Sequence, residues 1–125
     1  MADVVVVDND ASLRVVIRMV LERAGFEVRE ASHGAEALEM CSRNRPDVVL
    51  ADLRMPIVGG RELARRMEAD PALRSIPVIL LTGDRDAAEE GPPVASVLVK
   101  PFEPDDLLAA VRAFAEPSLD AGAAT

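Results

Sequence analysis

Residues 48–51 read Val-Val-Leu-Ala and run without a polar break into Asp52, after which Met55-Pro56 stops the chain from continuing as a strand. An aliphatic run with no alternation leaves neither face for water, so it belongs in a strand covered on both sides, as in parallel sheets. The pattern repeats at residues 4–7, four valines ending on Asp8-Asn9-Asp10, and at 77–82, Pro-Val-Ile-Leu-Leu-Thr. A fourth run, residues 95–99, ends on Lys100-Pro101-Phe102. Parallel neighbours cannot be joined by a hairpin and need crossovers of a dozen or more residues.

Leu13, Val16, Ile17, Val20, Leu21 and Ala24 recur at helical spacing. Asp10 stands where an N-cap would, Gly25 where a helix stops, and Arg14, Arg18 and Glu22 fall on the outer face. Residues 26–31 alternate Phe, Glu, Val, Arg, Glu, Ala, which predicts a half-exposed strand at a sheet edge. Residues 34–43 predict a second helix with Ala35, Leu38 and Cys41 inward. After a flexible Gly59-Gly60 connection, residues 61–69 predict a third, burying Leu63, Ala64 and Met67. Pro104 opens a last helix, with Asp105 and Asp106 near its positive end and Leu107, Leu108, Val111, Phe114 and Ala115 inward. Residues 83–94 carry almost no apolar face, so the helix of the fourth crossover is expected to be short or absent. The sum is an α/β protein: a doubly wound, flavodoxin-like, five-stranded parallel sheet in the order 2-1-3-4-5. Residues 1–116 are expected to form one domain and residues 117–125 a flexible tail.

Composition narrows the function classes. A formal charge of −8 argues against direct nucleic-acid binding, which relies on clustered Lys and Arg. No apolar run approaches membrane-spanning length, and no basic region precedes residues 4–7 as in a signal peptide. Cys41 is the only cysteine, so no internal disulfide exists, and a cytoplasmic location is expected. Cys41 reads as a buried thiol and His33 as a surface residue.

Four strand ends carry chemistry: Asp8, Asp52, Thr82 and Lys100. Each has an ordinary reading on its own, as a turn former, a strand-end cap or a solvated base. In the expected strand order, however, all four converge on one edge of the sheet. Thirteen of the fourteen basic residues are Arg, and the single Lys stands at this edge. A lysine is a compact point charge where arginine is a longer planar fork, and a tight phosphoryl site beside carboxylates needs the former. Two neighbouring carboxylates repel unless a cation joins them, and oxygen ligands with room for water suit Mg²⁺. Asp52 then reads as a nucleophile able to form an aspartyl phosphate, Asp8 as the acid on the metal side, and Lys100 and Thr82 as groups holding phosphoryl oxygens.

On these residues the chain resembles the receiver domain of two-component response regulators, over roughly residues 3–116. Val-Val-Val-Asp8 matches the family's first strand and acids, Ala51-Asp52-Leu53-Arg54-Met55-Pro56 its phosphoacceptor strand, Thr82-Gly83 its switch hydroxyl and Lys100-Pro101-Phe102 its lysine and proline. The resemblance implies Mg²⁺-dependent phosphorylation of Asp52 by a sensor histidine kinase, a histidine phosphotransfer protein or a small acyl phosphate. It implies a cis Lys100–Pro101 bond and a metal held by Asp8, Asn9, Asp52 and the main-chain carbonyl of Arg54. With no output domain read after Ala115, a stand-alone switch acting on a downstream protein and catalysing only its own phosphorylation and dephosphorylation is expected, with a receiver excised from a larger protein left open.

The chain departs from the pattern at four places. Asn9 replaces a second acid, which predicts weaker metal binding. Val97 stands where many receivers carry an aromatic residue. The segment between Thr82 and Lys100 is shortened, and Arg54 and Asp84 flank the mouth of the site, where pairing would restrict water. These departures keep open an alternative, a phosphorylation-independent pseudo-receiver serving as an interaction module. A flavin site would need a hydroxyl- and glycine-rich loop in place of Asp8-Asn9-Asp10-Ala11, and an aspartyl phosphohydrolase a second acid where Arg54 stands.

Overall fold

The computed structural model describes residues 2–84 and 93–116. Five strands, β1 (Asp3–Val7), β2 (Glu27–Ala31), β3 (Val48–Asp52), β4 (Val78–Thr82) and β5 (Ser96–Val99), form one parallel sheet in the order β2-β1-β3-β4-β5. The described helices are α1 (Ala11–Arg23), α2 (Gly34–Arg43), α3 (Gly60–Ala69) and α4 (Pro104–Arg112). Two apolar layers flank the sheet. Val5, Val7, Val49, Ala51, Val78 and Leu80 point to the layer under α2 and α3, and Val4, Val6, Val48, Leu50, Ile79 and Leu81 to the layer under α1 and α4. Burial on both faces is why the three inner strands show no polar alternation.

Local chemistry sets the element ends. Asp10 caps α1 by accepting from the Ser12 and Leu13 N–H groups. At the other end Phe26 N–H donates to Leu21 O and Gly25 N–H to Glu22 O, a Schellman closure that turns on Gly25 at φ 98°. The Lys100–Pro101 peptide bond is cis.

The structure corrects several expected inward positions. Val16 is 55% exposed, because α1 packs through a narrower stripe centred on Ile17 and Leu21. On α2 the inward stripe runs through Gly34, Ala37 and Cys41, which turns Ala35 outward. Phe114 is exposed because it follows the end of α4 at Arg112, while Ala115 turns back to the core. β5 is half-buried along its length, as befits a strand paired with β4 alone among the described strands. Of the fourth crossover, residues 85–92 lie outside the described residues, as does the 117–125 segment.

The loop from β3 to α3 holds a local conflict. Ile57 adopts φ 69° and is 98% exposed, while Val58 N–H donates to Pro56 O at 2.7 Å. This is a γ-turn of the strained hand centred on a β-branched residue, a conformation that costs about 1–3 kcal/mol. Since Ile57 buries nothing, Ile57→Gly is expected to raise stability by about 1 kcal/mol, glycine having no Cβ to strain at positive φ. Urea melts should show a higher midpoint at unchanged slope.

Candidate functional site

Strand register assembles the site. Val7 pairs with Ala51, so the next residues, Asp8 and Asp52, stand level on neighbouring strands. Asp52 pairs with Leu81 and Thr82 with Val99, which places Thr82 one step and Lys100 two steps further out on the same edge. The Lys100 side chain reaches back across β4 and β3. Its Nζ lies 3.4 Å from Asp52 Oδ1 and 3.3 Å from Asp8 Oδ2. The four strand ends picked out from the sequence therefore do meet at one edge, and one ammonium group joins the two carboxylates.

Asp8 is 1% exposed. Besides Lys100, its carboxylate accepts from the Asp10 main-chain N–H at 2.9 Å. A buried carboxylate needs such partners, since an uncompensated charge inside a protein is costly. Asp52 is more open, and its carboxyl is pushed above the ordinary carboxylate range. Burial is the main cause and the charge of Asp8 the second, opposed by Lys100 and by the Arg54 main-chain N–H. Ionising Asp52 is thus opposed by its own surroundings.

The Thr82 hydroxyl is occupied locally. It donates to Asp84 O at 3.2 Å and stands 3.1 Å from the Asp84 N–H, which donates to it. Asp52, Arg54, Thr82, Gly83 and Asp84 line an open cleft of about 300 Å³. Arg54 and Asp84 both stand at this mouth, as expected. Asn9 is exposed at the loop after β1.

The site's chemistry fits a divalent cation. Two carboxylates share one ammonium, and the charge of Asp8 still raises Asp52, so the pair retains unbalanced negative charge. The donors that could serve it are all oxygen: the Asp8 and Asp52 carboxylates, the amide of Asn9 in the adjoining loop and the main-chain carbonyl of Arg54, two residues past Asp52. Among the described residues no three acids, histidines or cysteines form a ready cage, so such an ion would keep waters, as Mg²⁺ does.

Helical spacing puts Arg14 on the outer face of α1, whereas its side chain is largely buried and donates to the main-chain carbonyl of Asp8. Helical periodicity carries no signal for such a bond to an adjacent loop. His33 caps α2, its Nδ1 accepting from Glu36 N–H, and burial pushes the Cys41 thiol up to about 11.

Residues 4–112 match the family model of the response regulator receiver domain. The phosphate regulon transcriptional regulatory protein PhoB of Pseudomonas aeruginosa is 36% identical over 114 residues, covering 88% of this chain and 50% of PhoB. The chain spans about half the length of the curated relatives it matches, PhoB and the mycobacterial DNA-binding response regulators MtrA. The chemotaxis response regulator CheY4 of Vibrio cholerae superposes with a TM-score of 0.85 at 32% identity, covering 91% of this chain and 98% of CheY4. The receiver domain of the sensor histidine kinase PA1611 of Pseudomonas aeruginosa, described with a magnesium ion in its active-site cleft, gives 0.81 at 25% identity over 90% of this chain and 96% of its own. No helix among the described residues is long and apolar enough to cross a membrane.

Proposed function

This chain belongs to the response regulator receiver domain family, and we propose that it is a phosphorylation switch whose phosphoacceptor is Asp52. The observation that carries the reading is the Lys100 ammonium group bridging Asp8 and Asp52 at 3.3 and 3.4 Å. An Asp52 oxygen attacks phosphorus, and the bond to the donor breaks. A histidine nitrogen leaves with the bonding pair when a kinase or phosphotransfer protein is the donor, and a carboxylate when the donor is an acyl phosphate. Lys100 stands where charge gathers on the phosphoryl oxygens and stabilises it there. The Thr82 hydroxyl gives up Asp84 O and donates to a phosphoryl oxygen, drawing the end of β4 inward and shifting the chain between two states. Water later attacks the acyl phosphate and restores the Asp52 carboxylate, so the only reaction catalysed is the chain's own cycle.

Mg²⁺ would be held by Asp8, Asn9, Asp52 and the Arg54 carbonyl, and when bound it supplies neutralisation of the approaching phosphoryl charge. Every residue assigned to the reaction lies within this chain, which supports a switch that needs no other domain to complete its site. The downstream partner is a protein that distinguishes the two states. The pseudo-receiver alternative has Asn9 in its favour but leaves the bridged carboxylates and Lys100 without a use.

Acetyl phosphate with Mg²⁺ is expected to add one phosphoryl group to the intact mass, and a chelator to prevent it. Asn9→Asp restores a second acid and is expected to reach half-maximal labelling at about tenfold lower Mg²⁺, the scale of one added charge–ion contact partly exposed to water. Equal Mg²⁺ dependence in the two proteins would show that Asn9 takes no part in holding the ion.

A further inference from the structure

Arg14 lies next to the site, yet the proposed reaction gives it no task. It stands in the first turns of α1, with its side chain 16% exposed. One arm of the guanidinium, Nη1, donates to the main-chain carbonyl of Asp8, and Nε donates to Glu30 Oε1 of β2 at 3.2 Å. The other oxygen of Glu30 accepts from Arg18 at 3.0 Å, and Arg18 in turn pairs with Glu22. β1 ends at Val7, so the Asp8 carbonyl has left the strand ladder and relies on Arg14 for a donor.

Asp8 is held at four atoms. Its N–H donates to Ala31 O at 3.2 Å, its carbonyl accepts from Arg14, Oδ1 accepts from Asp10 N–H and Oδ2 from Lys100. The carbonyl contact decides how the peptide plane between Asp8 and Asn9 lies, and hence where the exposed Asn9 side chain leaves the main chain. Lys100 cannot do this, because it touches only the carboxylate end. Charge raises a second requirement. A bare guanidinium beside this loop would oppose any cation held there, and the Glu30 carboxylate paired with Arg14 offsets it.

We infer that Arg14 is a positioning residue that sets the Asp8–Asn9 segment for a divalent cation, and that Glu30 keeps the Arg14 charge from repelling that cation. The inference rests on reading this loop as the Mg²⁺ side of a phosphoacceptor site. It assigns a task to two residues that take no part in phosphoryl transfer. Groups that orient a ligand rather than touch the metal change affinity by about 10–100-fold.

Calorimetric Mg²⁺ titration of the whole chain tests it, using Arg14→Met, Arg14→Lys, Glu30→Gln and, as control, Ile17→Val, which removes a methyl group from the buried face of the same helix. Arg14→Met is expected to weaken Mg²⁺ binding about tenfold or more. Arg14→Lys, able to keep a charge near Glu30 but lacking the second arm, is expected to weaken it as well. Glu30→Gln should weaken it by a smaller factor that shrinks as salt is added. Ile17→Val should bind as wild type does. Wild-type affinity in Arg14→Met, or an equal loss in Ile17→Val, would overturn the inference.

A metal-free readout separates this inference from the reading it rests on. The Asn9 and Asp10 amide resonances should move in Arg14→Met and stay in place in Ile17→Val. If wild type takes no Mg²⁺, the phosphoacceptor reading falls, and the amide resonances still decide the positioning role: no movement in Arg14→Met overturns it.

Discussion

Lys100→Met is expected to slow phosphorylation of Asp52 by acetyl phosphate about 10²–10³-fold, the usual loss when one preorganised group facing developing charge is removed. Nζ touches both carboxylates, so the substitution acts twice. It removes the cation that would meet the phosphoryl oxygens. It also removes one of the groups that hold the Asp52 carboxyl down against burial and the charge of Asp8. The Asp52 carboxyl should therefore rise further, and the acid limb of the pH–rate profile should move to higher pH. Arg in place of Lys keeps the charge but brings a planar fork too long for a position already in contact with two carboxylates, so Lys100→Arg should recover little. Mass-resolved time courses across pH check both effects. A Lys100→Arg protein as fast as wild type would show that charge alone suffices.

Gly60→Ala is expected to damage fold and site together. Gly60 opens α3, and a Cβ there would lie 2.5 Å from the carbonyl oxygen of Asp52 and 2.7 Å from Leu80 Cδ2. The neighbour is main chain at the phosphoacceptor itself, so relief requires the end of β3 to move away from α3. Such overpacking costs about 1–3 kcal/mol. Because reacting groups must be placed to within a fraction of an ångström, labelling of Asp52 should fall about 10²-fold even in protein that remains folded. Thermal melts and labelling rates on the same preparation separate the two losses. A folded variant that labels at the wild-type rate would show that α3 does not fix the position of Asp52.

Gly60 also marks a limit of reading from sequence. Gly59-Gly60 reads as a flexible connection, because a glycine pair says only that side chains are missing. The structure shows the reason for the gap, a helix start pressed against the end of β3, and only the fold brings that neighbour into view. Arg14 is a similar case, since helical spacing assigns a residue to a face but cannot report a loop carbonyl folding back onto it. Thr82 was legible as a strand end, yet its bonds to the Asp84 main chain depend on a turn that no periodicity encodes. The left-handed Ile57 runs against its own residue preference. The strand order, by contrast, followed from the unbroken aliphatic runs at residues 4–7 and 48–51 and the alternation at 26–31, because burial on one face or two leaves a direct imprint on composition. Asp8, Asp52, Thr82 and Lys100 were legible for the same reason: polar residues that end such runs must lie on one edge of a parallel sheet.

The proposed switch depends on Asp52. Its raised carboxyl means that ionising it opposes folding. This contribution favours the fold below the unfolded-state value and is lost as pH rises through the folded-state value, so Asp52→Asn should melt no lower than wild type near neutral pH. Wild type and Asp52→Asn, incubated side by side with acetyl phosphate and Mg²⁺ and read by intact mass, give the direct test. The expected result is one added phosphoryl group on wild type and none on Asp52→Asn. A gain that survives the substitution, or no gain on either folded protein, would contradict the assignment.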